Sequence, residues 1–370
     1  MEKVDVIIIG AGVIGLAAAE KLSAAGKEII VVERHDGFGR EASSRNSEVI
    51  HAGMYYPEGS LKAKFCVKGN RQLYELCGKR GIPYKKPGKI IVGQNDEETH
   101  KINDLYEQGM KNGVSNLQLL EREAVLEREP NITGATGLLS PETGIIDTHS
   151  LMKYFEQSAE SRGTIFAYSC EVVRVRKATE GYITDVRDAD GEMMQVRSDI
   201  VINAAGLAAD RIAASVGIDV EAAGYGIHPC KGEYFSVSNR HRRKLNGLVY
   251  PVPTAIHLGI HVVLDLEGCL KLGPSAFYVD TIDYDVEPSH RQEFFKSART
   301  YLPFIEYQDL APDMAGIRAK LQRPEDDFRD FVIAEESDKG FPGLINLIGM
   351  ESPALTACMA IADEVAAIIG

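Results

Sequence analysis

Val4-Asp5-Val6-Ile7-Ile8-Ile9 runs directly into Gly10-Ala11-Gly12-Val13-Ile14-Gly15, joining an apolar stretch of the buried parallel-strand type to a glycine-rich turn. In such a turn Gly10 permits the tight bend and Gly12 lets the backbone approach a pyrophosphate. Gly15 lets the helix carrying Leu16, Ala18 and Leu22 pack close against the strand. The helix amino terminus then faces the phosphates. A second strand, Glu28 to Val32, ends at Glu33, a carboxylate placed to hold ribose hydroxyls. The same carboxylate repels a 2′-phosphate, so the ligand expected is FAD or NAD and not NADP, and the motif leaves those two open. An ordinary tight turn would show the glycines without the strand, helix, second strand and acid in series.

The 370 residues, 44% of them hydrophobic, suffice for two cores, so two interleaved domains are expected. A formal net charge of −13 disfavours nucleic acid and anionic lipid, both of which demand a basic footprint. An anionic small-molecule substrate would then have to be met by local cations. Cys66, Cys77, Cys170, Cys230, Cys269 and Cys358 form no CxxC pair, which argues for buried thiols and against a zinc site or a redox dithiol. No basic leader precedes Val4 and no apolar run reaches spanning length, so we expect a soluble cytoplasmic protein without a transmembrane segment.

Beyond Glu33, a polar loop from Arg34 to Ser47 and the segment Glu48 to Pro57 are longer than a simple connector needs. Residues 60–81 read as a helix, with Leu61, Phe65, Leu73 and Leu76 near helical spacing, Gly81 as a stop, and Lys62, Lys64 and Lys68 on a wet face. A short strand at 86–93 and a charged helix at 99–112 look like an inserted segment. Asp147 or Thr148 can cap a helix through Leu151, Phe155 and Ala159. Residues 165–196 alternate like β-ribbons with a turn at Asp190-Gly191. An apolar strand from Asp199 ends in Asn203-Ala204-Ala205-Gly206, followed by a helix to Val216 that stops at Gly217. Strands near 234–237, 248–252, 259–265 and 269–272, with a helix near 290–301, suggest a second sheet. The chain returns through Leu344 to Gly349 and a closing helix, with Ser352 as its N-cap and Pro353 at its first position.

The amino-terminal turn with Glu33, the loop Ser44-Arg45-Asn46-Ser47-Glu48-Val49-Ile50-His51-Ala52-Gly53, the strand end at Asn203 to Gly206 and the closing Gly349-Met350-Glu351-Ser352-Pro353 together resemble the FAD-dependent D-amino-acid-oxidase-like superfamily. The likeness spans nearly the entire chain. Val49 to Tyr56, Lys231-Gly232-Glu233-Tyr234-Phe235, Tyr250-Pro251-Val252-Pro253 and Gly259-Ile260-His261 look most like its L-2-hydroxyglutarate dehydrogenase/oxidase group. Two positions depart from the pattern: Glu48 stands where relatives often carry glycine, and Ala354 replaces a glycine that frequently follows the proline.

The resemblance implies an α/β flavoenzyme with a Rossmann-like FAD-binding domain of glutathione-reductase type and an interleaved mixed-sheet α+β substrate domain over the flavin ring. The first would take residues 1–85, 146–224 and 326–370, the second 86–145 and 225–325. It further implies an FAD-binding set of Gly10, Gly12, Ile14, Gly15, Glu33, Arg34, Ser44, Asn46, Val173, Ala204, Ala205, Gly206, Gly349, Ser352, Ala354, Leu355 and Thr356. Ser44 and Asn46 would line pyrophosphate and flavin, and Asn203, Ala204 and Gly206 the adenosine half; strand-end packing is the alternative for Asn203.

Oxidising a 2-hydroxy acid needs a hydride acceptor, a base for the hydroxyl proton, and donors for the carboxylates. FAD supplies the first at N5, taking hydride from C2. His51 is the first candidate base, because imidazole titrates near working pH, at about 6.5 when unperturbed; a packing histidine or a covalent flavin tether are its other readings. His261 is the second, on a strand face shared with Val263 and Asp265, with a satisfied core histidine as the alternative. His257 shares that parity, but two histidines alone do not make a metal site. Arg318 can grip a carboxylate with two hydrogen bonds, helped by Lys320, Lys231 and Tyr234, with Tyr55 gating entry; a solvated basic strand is the plainer reading of Arg318. The expected reaction is L-2-hydroxyglutarate to 2-oxoglutarate, electrons leaving to a quinone, a carrier protein or oxygen. A peripheral membrane contact for that transfer stays open. The rivals are glycerol 3-phosphate oxidation, glycine- or sarcosine-type amine oxidation, a nicotinamide-dependent dehydrogenase, and a non-catalytic flavin-binding protein.

Overall fold

The computed structural model describes residues 2–253 and 259–370; His257 lies outside these. The chain divides into two compact units, Met1–Ser44 with Thr148–Pro229 and Arg318–Gly370, and Arg45–Asp147 with Cys230–Ile317. Residues 45–85, expected with the nucleotide fold, cluster instead with the second unit. The helix Leu61–Arg80 explains this, since Asn70 Nδ2 on its buried face donates to the carbonyls of His51 at 3.0 Å and Glu142 at 2.8 Å.

The first unit is built on Glu2–Ile9, whose Ile7 and Ile8 are wholly buried, as a central parallel strand must be. It pairs in parallel with Ile29–Val32 on one side and Met193–Asn203 on the other. Ile165–Ala167 extends the sheet beyond Ile29–Val32, and Phe341–Ile348 lies parallel to the end of Met193–Asn203. The ribbon of Glu171–Lys177 and Tyr182–Arg187 joins antiparallel, as does Val332–Glu336, completing eight strands. The helix Val13–Ala24 is buried on nearly all sides, with Ala17, Ala18 and Ala19 among the covered residues. It packs against the helices Thr148–Glu160 and Ala354–Ile369; small side chains permit that double contact.

In the second unit, Leu248–Pro251, Lys89–Gly93, Thr136–Ser140 and Gln118–Glu121 form a four-stranded sheet in that order. A five-stranded sheet centres on His228–Val237, and a three-stranded one joins Val49–Ile50, Gly144–Ile146 and Tyr84–Lys85. One apolar cluster links these sheets to the helix Arg291–Arg299, where Phe294 meets Phe235 with ring centroids 4.6 Å apart.

Three local expectations are corrected. Lys62 is buried, because it lies on the same helical stripe as Cys66, Asn70 and Leu73, while Lys64 and Lys68 are exposed as expected. Ser352 does not cap the last helix. The Ala354 amide donates to the Glu351 carbonyl at 2.7 Å, so a turn closes ahead of the helix and Pro353 takes the cap position without a side-chain bond. Asn203 is fully buried, and its amide donates to Ala209 O and Asn346 Oδ1, both at 2.7 Å, which is a structural use of that side chain.

Candidate active site

In the first unit the glycine turn is shaped by close backbone approach. A Cβ on Gly15 would sit 2.0 Å from the Gly10 carbonyl oxygen, and one on Gly10, whose φ is +102°, would sit 2.6 Å from Ala204 O. Gly12 occupies the N-cap of the helix, and a Cβ there would meet only Ser43 Oγ, at 3.1 Å. Glu33 stands beside this turn, its carboxylate accepting from the amides of Ala11 and His35 at 2.8 Å each. No acidic residue occupies the first turn of the helices starting at Val13 and Ala354, so no carboxylate within either first turn opposes an anion there.

The remaining cofactor candidates sit around the same sheet or apart from it. Ile14 is in the first turn of the helix after Gly12, and Leu355 and Thr356 in the first turn of the helix after Pro353. Arg34 pairs with Glu41, and the Ser44 amide donates to the Glu41 carbonyl. Ala204, Ala205 and Gly206 follow the strand end, the Ala204 amide bonding Ile9 O at 3.0 Å, and Gly349 follows the strand end at Ile348. Val173 is exposed at the irregularity of its ribbon. Asn46 belongs to the second unit, where its Oδ1 accepts from the Glu48 amide at 2.7 Å.

The second unit gathers a polar cluster inside an apolar surround. His51 follows the strand Val49–Ile50, and its carbonyl is held by Asn70. Lys89 opens the strand Lys89–Gly93 and Tyr250 lies on its parallel neighbour; Leu248 pairs with Lys89 and Tyr250 with Ile91, so period two puts Lys89 and Tyr250 on one face. Lys89 is 1% exposed, with Nζ 4.3 Å from the centre of the Tyr55 ring and 4.7 Å from that of Tyr250. His261 stacks on Tyr250, centroids 3.7 Å apart and tilted 24°, and its Nδ1 donates to Gly259 O at 2.9 Å.

Burial, then the charges of Lys89 and His261, pushes the His51 imidazole down to about 3, so it is neutral at working pH. Burial likewise brings the Lys89 ammonium down to about 7, opposed by the nearby Cys66 thiol. The Tyr55 and Tyr250 phenols are pushed upward by burial and stay protonated. The site therefore offers a neutral nitrogen base beside a cation that titrates within the physiological range.

Other substrate candidates are placed differently. Lys231 is buried with its ammonium 3.1 Å from Asp283 and 3.9 Å from Glu233. The Tyr234 hydroxyl meets Ser47 Oγ at 2.9 Å. Arg318 and Lys320 fall in the first unit, Arg318 half-buried and Lys320 3.7 Å from Glu351. Lys89 and Tyr250 were not among the expected site residues. The available signal was a lone lysine heading the run Ile90-Ile91-Val92, on the parity of a core-facing strand position.

Gly53, two residues after His51, is constrained by a side chain of its own unit. Its φ is +107° and a Cβ would lie 2.8 Å from Val67 Cγ2 on the helix Leu61–Arg80.

The model of the DAO family, described as FAD dependent oxidoreductase, matches residues 5–368. This chain belongs to that family. A mitochondrial L-2-hydroxyglutarate dehydrogenase of Arabidopsis thaliana is 38% identical to this oxidoreductase, covering 99% of the chain and 83% of the relative. The protein of the same name from Homo sapiens is 30% identical, covering 98% and 88%. Among solved structures, a dithionite-reduced L-α-glycerophosphate oxidase from Mycoplasma pneumoniae with FAD bound superposes with a TM-score of 0.89 at 28% identity, covering 100% of this chain and 95% of the other. The protein is thus an FAD-dependent oxidoreductase, and its first unit fits the cofactor: the glycine turn has no room for side chains at Gly10 and Gly15, and two helix starts lack acidic residues. Among the described residues, no helix is long and apolar enough to cross a membrane.

Proposed function

We propose that this oxidoreductase converts L-2-hydroxyglutarate to 2-oxoglutarate, with His51 as the base that takes the C2 hydroxyl proton. The observation that carries the reading is the neutral His51 imidazole beside Lys89 and His261 in the second unit. Near-full-length similarity to proteins named for this substrate supports it. Bound FAD supplies the hydride acceptor. Gly10, Gly12 and the start of the helix Val13–Ala24 would hold its pyrophosphate, Glu33 its ribose, and the start of Ala354–Ile369 the pyrimidine side of the ring.

A neutral imidazole accepts the proton without first losing one, and the carboxylates of an arriving substrate raise its basicity by countering the Lys89 charge. His261, fixed by its stack and its bond to Gly259 O, orients Tyr250 in this reading. Arg318 and Lys320 remain candidate carboxylate donors. Lys231, paired with Asp283, is the weaker one. Electrons leave to a quinone, a carrier protein or oxygen, and the reaction is assigned to the cytoplasm.

The likeness to a glycerophosphate oxidase structure makes glycerol 3-phosphate the rival substrate. Anaerobic mixing of the yellow protein with L-2-hydroxyglutarate, L-malate, glycerol 3-phosphate, glycine and sarcosine decides between them. Bleaching by L-2-hydroxyglutarate at the lowest concentration is the expected result, and bleaching by glycerol 3-phosphate alone would discard this reading.

A further inference from the structure

Lys89 contrasts with Lys231, another buried cation of the second unit, which is answered by Asp283 and Glu233. Lys89 Nζ, buried to within 1% of its surface, has no hydrogen-bond partner among the described residues. It is flanked by two aromatic faces, which offset only part of the cost of burying an ammonium without an anion.

The hydroxyls of Tyr55 and Tyr250, the two rings that flank it, are buried and likewise meet no hydrogen-bond partner among the described residues. One ammonium and two phenols thus gather three donor groups that bond no acceptor among the described residues. A carboxylate, with two oxygens and about four lone-pair directions, is the group that such a set fits.

We propose that Lys89, with the Tyr55 and Tyr250 hydroxyls, receives a carboxylate of the substrate, and that the carboxylate is bound together with a proton taken from solvent onto Nζ. The inference rests on the activity proposed above for its choice of a 2-hydroxy dicarboxylate. The charged and titratable groups facing Lys89 are Cys66 from the helix Leu61–Arg80, Tyr55 and His51 from the segment after Val49–Ile50, and Tyr250 from the neighbouring strand, with His261 stacked behind it. Burial keeps the thiol and both phenols protonated and the imidazole neutral. The Lys89 ammonium itself falls to about 7 because burial disfavours its charge. An incoming carboxylate reverses that penalty, so Nζ holds its proton in the complex at a pH where the ligand-free protein has released it.

The experiment uses the FAD-loaded protein and glutarate, which lacks the hydroxyl and binds without reducing flavin. Calorimetric titration in buffers of different ionisation enthalpy counts the protons taken up. Close to one proton is expected at about pH 8.5 and close to none at about pH 6. Lys89→Met, of similar length and without charge, should keep FAD, abolish the uptake and weaken glutarate at least tenfold. Lys89→Arg, which keeps its charge throughout, should bind glutarate without uptake at either pH. Uptake that persists in Lys89→Met, or glutarate affinity equal to that of the parent protein, overturns the role of Lys89. The activity itself is judged separately, since a parent protein whose flavin L-2-hydroxyglutarate does not bleach refutes the substrate assignment whatever glutarate does.

Discussion

Tyr250 lies face to face with His261, their ring centroids 3.7 Å apart, while His261 Nδ1 is tied to the Gly259 carbonyl. The bond fixes the Nδ1 edge of the ring and the stack fixes its plane. His51 instead follows the strand Val49–Ile50, its carbonyl held by Asn70. The two candidate bases are therefore separable by substitution. His51→Asn should slow anaerobic flavin reduction by about 100-fold or more with FAD retained. His261→Phe, which preserves the stack, should slow it less than about tenfold on the same scale. Since His51 is protonated only below about 3, the parent protein should show no loss of reduction rate from this group between about pH 5 and 8. Stopped-flow absorbance measures all three.

Glu48 sits at φ +53°, in the left-handed region that costs a side-chain-bearing residue about 1–2 kcal/mol. Its carbonyl still accepts from the Ile146 amide at 2.9 Å, so the conformation is used. Glu48→Gly should relieve the strain and, after the larger backbone entropy of glycine in the unfolded chain, raise stability by about 0.5–1 kcal/mol. A urea midpoint that falls instead would show that the carboxylate contributes more than the strain removes.

In the first unit, Asn203 donates to Asn346, Asn346 donates to Glu336 at 2.8 Å, and Tyr225 donates to the same carboxylate oxygen at 2.8 Å. All of these side chains are buried. Asn346→Leu should leave Asn203 and Glu336 each short of a partner and cost about 2–4 kcal/mol. Chemical denaturation of the FAD-loaded protein checks the loss.

Asp309 is buried, which alone would raise its carboxyl. The Arg240 guanidinium, the Glu306 amide and His241 outweigh this and hold it at about 2. A carboxyl lowered on folding contributes stability that is fully present above its unfolded value near 3.9 and is lost as pH falls toward the folded value. The contribution is on the order of 2 kcal/mol. The stability gap between the parent protein and Asp309→Asn should accordingly be widest at neutral pH and shrink between about pH 4 and 2. A gap independent of pH would mean that the carboxylate charge is not what matters.

Gly15→Ala would bring a methyl group to 2.0 Å from the Gly10 carbonyl, closer than any packing allows, so the turn must open. The variant should purify with less than about a tenth of the parent flavin content, because the loop and helix start that meet the pyrophosphate move together. The ratio of flavin to protein absorbance gives the answer directly.

The nucleotide fold was legible because each residue of its opening motif answers a local demand. Gly10 and Gly15 are glycine for lack of room, and Glu33 ends the second strand beside the turn, as the spacing predicts. His51 and His261 stood out as candidates for their imidazole chemistry, each two residues from a glycine at the end of an apolar strand. Lys89 did not, because a lysine at a strand end reads as solvated until the neighbouring strand is known. Its position opposite Leu248, two residues from Tyr250, is a fact of long-range pairing. The bonding of Asn203 was illegible for a similar reason: its partner Asn346 is remote in sequence, and no local pattern announces a hydrogen bond between two parallel strands.

The strand Met193–Asn203 has its neighbour Phe341–Ile348 delivered more than a hundred residues later in the chain. During translation the emerging polypeptide must therefore carry an open, strongly apolar sheet margin while the intervening segment is synthesised. The sheet that carries the glycine turn is therefore completed only once the last strand of the chain has been made.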